Sequence, residues 1–101
     1  MLKLTFLYNH PQDPETFEEY YANEHLPLAA KIPNVLRFES GRVGNVDGSE
    51  PPYPRIVELW FESAERLSEA LSSSEGKTAT GDIRNFATGG AAVFVSEVEE
   101  A

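Results

Sequence analysis

His25 sits in a run of aromatics that ends on a proline, Tyr20-Tyr21-Ala22-Asn23-Glu24-His25-Leu26-Pro27-Leu28-Ala29. On a helix, an imidazole four residues beyond a phenol lies one turn away from it, so His25 and Tyr21 can meet the same small molecule. Imidazole takes and returns protons near neutral pH, and a phenol can donate a hydrogen bond to the charge that forms. Acid–base chemistry on a small ligand is one reading of this stretch. The other is a packed helix corner in which the imidazole caps backbone carbonyls.

Other chemistries find little support. There is no cysteine, which removes thiolate nucleophiles, thiolate metal sites and disulfides. The two histidines, His10 and His25, lie on elements that place them at opposite ends of a sheet, and no His-x-x-x-His spacing is present. No metal is expected. Phosphate loops, dinucleotide fingerprints and nucleophile elbows are also missing, so no cofactor is expected and any catalysis would rest on acid–base groups. A net charge of −9, from 17 acidic and 8 basic residues, argues against nucleic acid and against an anionic membrane. No apolar run reaches membrane-spanning length and the alternating start is unlike a signal peptide, which makes the cytoplasm the expected compartment.

These residues need a scaffold. Its 101 residues, 41% of them hydrophobic, suit one domain with a modest core that a partner subunit would help to cover. Leu2, Leu4, Phe6 and Tyr8 alternate with Lys3, Thr5 and Leu7, the period of a half-buried strand. Asp13-Pro14 then starts a helix, with aspartate as cap and proline where a missing N–H costs nothing. Phe17, Tyr20, Tyr21, Glu24 and Leu28 form its inward stripe, and Glu18, Glu19 and Asn23 face water. His25 falls on the flank of that stripe, partly buried. Pro27 disfavours helical geometry before it, so the helix should end near His25.

A second strand follows at residues 35–43, a loop at 44–52 and a third strand at 53–61, together reading as a hairpin. Ser63 caps a second helix with Ala64, Leu67, Ala70 and Leu71 inward. The serines at 72–74 interrupt it, and Ala79, Ile83 and Phe86 continue it, with Gly76 and Gly81 as weak points. Gly89-Gly90 turns into a last strand at 91–98, and an acidic end at 97–101 is expected to fray. The order βαββαβ predicts an α+β, ferredoxin-like fold with an antiparallel sheet and both helices on one face. The other sheet face needs a cover, most simply a second copy packed sheet to sheet. In this arrangement Arg37, Glu58 and Trp60 are expected at the level of His25 and Tyr21, with Phe17 and Trp60 as walls for an apolar or aromatic ligand.

Several segments, taken together, resemble the EthD family of dimeric α+β barrel proteins. They are Lys3-Leu4-Thr5, Leu7-Tyr8, His10-Pro11, Asp13-Pro14, Phe17, Tyr20-Tyr21, His25-Leu26-Pro27-Leu28-Ala29, Ile32-Pro33, Glu58-Leu59-Trp60-Phe61, Glu75-Gly76 and Asn85-Phe86-Ala87-Thr88-Gly89-Gly90. The resemblance covers nearly the whole chain, and the His25-Leu26-Pro27-Leu28 segment is its most specific part. It implies a ferredoxin-like protomer that pairs sheet to sheet. It also implies a place beside the haem-thiolate monooxygenase system of ethyl tert-butyl ether degradation, either as an enzyme or as an accessory protein. Related barrels include cofactor-free monooxygenases, lactone isomerases and polyketide cyclases. Tyr8 and His25 match prominent family positions, which adds Tyr8 to the expected ligand-binding residues.

Overall fold

A computed structural model of the chain describes residues 1–99. Strands β1 (Leu2–Tyr8), β2 (Arg37–Arg42), β3 (Arg55–Phe61) and β4 (Ala91–Glu97) form one antiparallel sheet in the order β2-β3-β1-β4. With helical segments after β1 and β3, this is the ferredoxin-like arrangement expected from the βαββαβ order. Part of the acidic end expected to fray, residues 100 and 101, lies outside the described residues, whereas Glu97 closes β4. Among the described residues, no helix is long and apolar enough to cross a membrane.

Strand parity sorts the side chains. Register pairs Leu4 with Leu59 and Val95, and Phe6 with Val57 and Val93, so these residues share the face covered by helices. Leu4, Phe6, Tyr8, Val57, Leu59 and Phe61 are buried there against Phe17, Tyr21, Leu67 and Phe86. Each fully buried large apolar side chain contributes about 1.5–3 kcal/mol. The other face carries Lys3, Leu7, Ile56, Trp60 and Phe94 and has no helix over it.

The first helical arm is continuous through His25. After α1 (Pro14–Tyr20) comes a single π turn (Tyr21–His25), in which the Leu26 N–H reaches back five residues to the Tyr21 carbonyl, and then α2 (Leu26–Ala29). Pro27 therefore does not end the helix. A proline ring clashes with the carbonyl four residues earlier, and the wider turn moves that carbonyl aside. The turn also corrects the helical phase. The buried residues of the arm are Phe17, Tyr21, His25 and Ala29, each four after the last. In an α-helix, steps of four drift by about 40° each, which would carry Ala29 roughly 120° off the face of Phe17. The π turn absorbs much of that drift. His25 is thus buried instead of lying on a flank, while Glu24, expected on the inward stripe, is exposed.

The second arm consists of α3 (Ala64–Ser72), α4 (Ser74–Asp82) and a 3-10 turn (Ile83–Asn85). Ser73 serves both helices. Its Oγ–H donates to the Ala70 carbonyl at 2.6 Å, and its Oγ accepts the Gly76 N–H at 3.0 Å. Loss of both bonds in Ser73→Ala is expected to cost about 1–2 kcal/mol. Chemical denaturation with an unchanged midpoint would show that the joint is set by packing alone.

Candidate functional site

The π turn brings Tyr21 and His25 over the sheet, and the end of β1 brings Tyr8 to them. The Tyr21 ring lies 6.3 Å from that of Tyr8 and 5.7 Å from the His25 imidazole, centre to centre. Phe86 packs at 4.6 Å from the imidazole and closes the back of the group.

Asp82, at the end of α4, orients His25. A carboxylate can only accept, so His25 Nδ1 carries the proton and donates it to Asp82 Oδ2 at 3.0 Å. Both residues are buried. Asp82 Oδ1 accepts from the Tyr20 hydroxyl at 2.6 Å and from Asn85 Nδ2 at 2.9 Å. Burial by itself would raise the Asp82 pKa, but the hydrogen bonds from Tyr20, Asn85 and His25 outweigh it and hold the carboxyl below its ordinary value of 3.8. The Tyr20 phenol is held above its ordinary value mainly by that same bond to Asp82.

In the neutral imidazole with its proton on Nδ1, Nε2 is bare. That atom has no hydrogen-bond partner among the described residues. The imidazole is buried yet borders open space. The open space is a cleft between sheet and helices, floored by Leu4, Phe6, Val57 and Leu59 and roofed by Ala29, Ala79 and Ile83, with Tyr8, Tyr21 and His25 as its aromatic polar groups. The cavity between these side chains is only about 20 Å³. As it stands, the cleft admits little more than one water. Ala29, Ile32 and Phe38 also line a wider groove along the β2 edge, and Phe38 is partly exposed, so a ligand entering there must displace its ring.

Behind Tyr21 lies a second polar group. The Tyr21 hydroxyl is 2.6 Å from Ser40 Oγ, which also accepts Arg55 Nη1–H at 2.8 Å, and Arg55 Nη2–H donates to Glu18 Oε2 at 2.6 Å. The Arg55 guanidinium carbon lies 4.5 Å from the centre of the Tyr21 ring. Burial raises the Tyr21 pKa, and Ser40 and Arg55 pull it back in part. For Tyr8, burial and the nearby Tyr21 phenol push the pKa far up, so it stays a neutral donor.

Of the residues expected at the site, Tyr8, Tyr21 and His25 line the cleft. Phe17 is buried behind them, its ring against Tyr8, Tyr21 and Phe86, and does not reach the cleft. Arg37, Glu58 and Trp60 are on the opposite face of the sheet, because they alternate with Phe38, Leu59 and Phe61. There they form a separate group. Lys3 pairs with Glu58 at 2.8 Å, and Lys3 and Arg37 both approach the Trp60 ring, at 5.5 and 5.3 Å. Glu18, expected to face water, pairs with Arg55. Asp82, Ser40 and Arg55 were not anticipated, although each is a polar residue at an inward position. Asp82 follows Ala79 by three and precedes Phe86 by four, Arg55 shares parity with Val57, and Ser40 shares parity with Phe38.

Comparison with known proteins places this geometry. The EthD domain pattern matches residues 9–90. An uncharacterized 11.0 kDa protein in the thcB-thcC intergenic region of Rhodococcus erythropolis is 39% identical over 99 residues, covering 98% of this chain and 96% of that protein. The crystal structure of an ethyl tert-butyl ether (EthD) family protein from Bacillus halodurans superposes with a TM-score of 0.92 at 30% identity, covering 98% of this chain and 99% of that one. A cofactor-independent oxygenase from Streptomyces nogalater shares the fold at 13% identity and a TM-score of 0.67, covering 99% and 93% of the two chains. Sequence and fold agree from end to end, and the chain belongs to the EthD family.

Proposed function

We propose that this chain works in the cytoplasm as a homodimer in the catabolism of small organic compounds. It binds a small apolar or aromatic molecule in the cleft between sheet and helices, and His25 moves a proton on it without a cofactor. One observation carries the reading: the His25 imidazole, which lines an apolar cleft, is fixed by Asp82 through Nδ1, and its Nε2 has no hydrogen-bond partner among the described residues. The chemistry that fits is of the isomerase, cyclase or cofactor-independent monooxygenase type. Likeness to an oxygenase at 13% identity supports the capacity of the fold and no particular reaction. Pairing through the uncovered sheet face is supported by Phe94, 47% exposed, which shares that face with Trp60, Ile56 and Leu7.

The test is a screen of small aromatic and alicyclic compounds by NMR, followed by turnover of the compounds that bind. His25→Ala is expected to lower turnover by about 10²–10⁴-fold, the usual worth of a positioned acid–base group, and Tyr21→Phe to lower it less. Full activity in both variants, or a ligand seated away from the cleft, would remove the catalytic reading.

A second reading is a non-catalytic accessory or binding protein of an ether-degrading monooxygenase system, and the narrowness of the cleft favours it. In that case His25→Ala lowers the melting temperature but leaves ligand binding intact.

A further inference from the structure

The polar end of the cleft carries donors as well as a base. Arg55 is 9% exposed, and a guanidinium can only donate. Ser40 Oγ therefore accepts from Arg55 Nη1 and has its own hydrogen to give. The Tyr21 hydroxyl is its other partner, at 2.6 Å. When Ser40 donates to the Tyr21 oxygen, the Tyr21 hydrogen is released from Ser40 and can point into the cleft that Tyr21 lines. The direction of donation then runs from guanidinium to serine to phenol to ligand, and each link polarises the next. Tyr8, almost wholly buried, adds a second phenol to the lining of the same cleft and has no side-chain hydrogen-bond partner among the described residues. One acceptor and two donors thus share a single apolar cleft.

Resting on the reading of the cleft as a proton-transfer site, we propose that its ligand is a planar enol or phenol, bound with its hydroxyl between His25 Nε2 and the phenols of Tyr8 and Tyr21. The ligand O–H bond breaks, the Nε2–H bond forms, and the electron pair stays on oxygen, so no oxidant or reductant is needed. The imidazolium that results faces the Asp82 carboxylate, and the oxyanion is held by Tyr8 and Tyr21. Ser40 and Arg55 act as positioning residues. A hydrocarbon would leave these groups unused, and a carboxylate arrives already ionised and brings Nε2 no proton. The guanidinium already has a carboxylate partner in Glu18, which accepts from its Nη2.

para-Nitrophenol, whose anion absorbs where the neutral form does not, is the probe, and para-nitroanisole is its non-ionisable match. The bound phenol is expected to ionise about one pH unit below the free phenol in the same buffer, a tenfold change in acidity, and to bind more tightly than the anisole. Tyr21→Phe and Ser40→Ala, each checked for fold by circular dichroism, should abolish most of that shift and bring the affinity of the phenol down to that of the anisole. Equal binding of the two compounds with the phenol neutral overturns the assignment but leaves an apolar-ligand cleft standing. Binding of neither overturns both. A full shift in Ser40→Ala overturns the donor chain.

Discussion

Asp82→Asn is expected to destabilise the fold by about 1.5–3 kcal/mol, the worth of hydrogen bonds to a buried charged acceptor, and to change which nitrogen of His25 carries the proton. The native carboxylate accepts from Tyr20, Asn85 and His25 together. An amide keeps one acceptor oxygen and gains two hydrogens, so it can donate to His25 Nδ1 and drive the proton to Nε2. The base then faces the cleft as a donor, which abolishes proton acceptance while leaving its position unchanged. Chemical denaturation reads the first effect and nitrogen NMR of the imidazole the second. Wild-type stability with an unchanged tautomer would falsify the assignment of Asp82 as the orienting group. Acid gives the same network a pH signature. Because the Asp82 carboxyl is held below 3.8, the folded chain binds fewer protons than the unfolded chain in that range. Its contribution is complete above about pH 4 and is lost as pH falls through the folded value, and Asp82→Asn should flatten that part of the profile.

Gly76→Ala and Gly81→Ala are expected to move stability in opposite directions, although both glycines lie within α4. A methyl group on Gly76 would collide with the backbone carbonyl of Ala70, and no flexible side chain is there to yield. The α3–α4 joint must shift, at a cost of about 1–3 kcal/mol or more, as in overpacked cores. Around Gly81 the nearest atom is the mobile end of Arg84, at 4.0 Å, so a methyl group meets nothing. Gly81→Ala should therefore raise stability by about 0.4–1 kcal/mol by restricting the unfolded chain. Thermal melts of the two variants check the pair, and a shift of the same sign in both would mean that helix propensity outweighs the close approach at Gly76.

Sequence periodicity carried most of the fold. The alternation Leu2, Leu4, Phe6, Tyr8, the caps Asp13 and Ser63 and the interruption at the serines 72–74 appear as expected, because each is a local signal with a local cause. Of the expected site, Tyr8, Tyr21 and His25 stand together. Arg37, Glu58 and Trp60 do not, because strand parity is strict and a level along the sheet says nothing about its face. The burial of His25 was hidden by the π turn, since a 3.6-residue period cannot anticipate a turn wider than its own. Asp82 was hidden differently. An aspartate on an apolar stripe is the mark of a buried acceptor, but its partners belong to another helical arm and no spacing names them.

That last point follows from how far apart the partners lie along the chain. Asp82 meets His25 across 57 residues and Tyr20 across 62. A segment comprising only the first arm contains the imidazole and both neighbouring tyrosines, yet nothing within it decides which ring nitrogen is protonated. That choice waits on closure of a loop that spans more than half the chain, with the entropic cost such closure carries. The tautomer of His25 is therefore a property of the closed chain, and the protonation pattern of one side chain records whether the ends of the fold have come together.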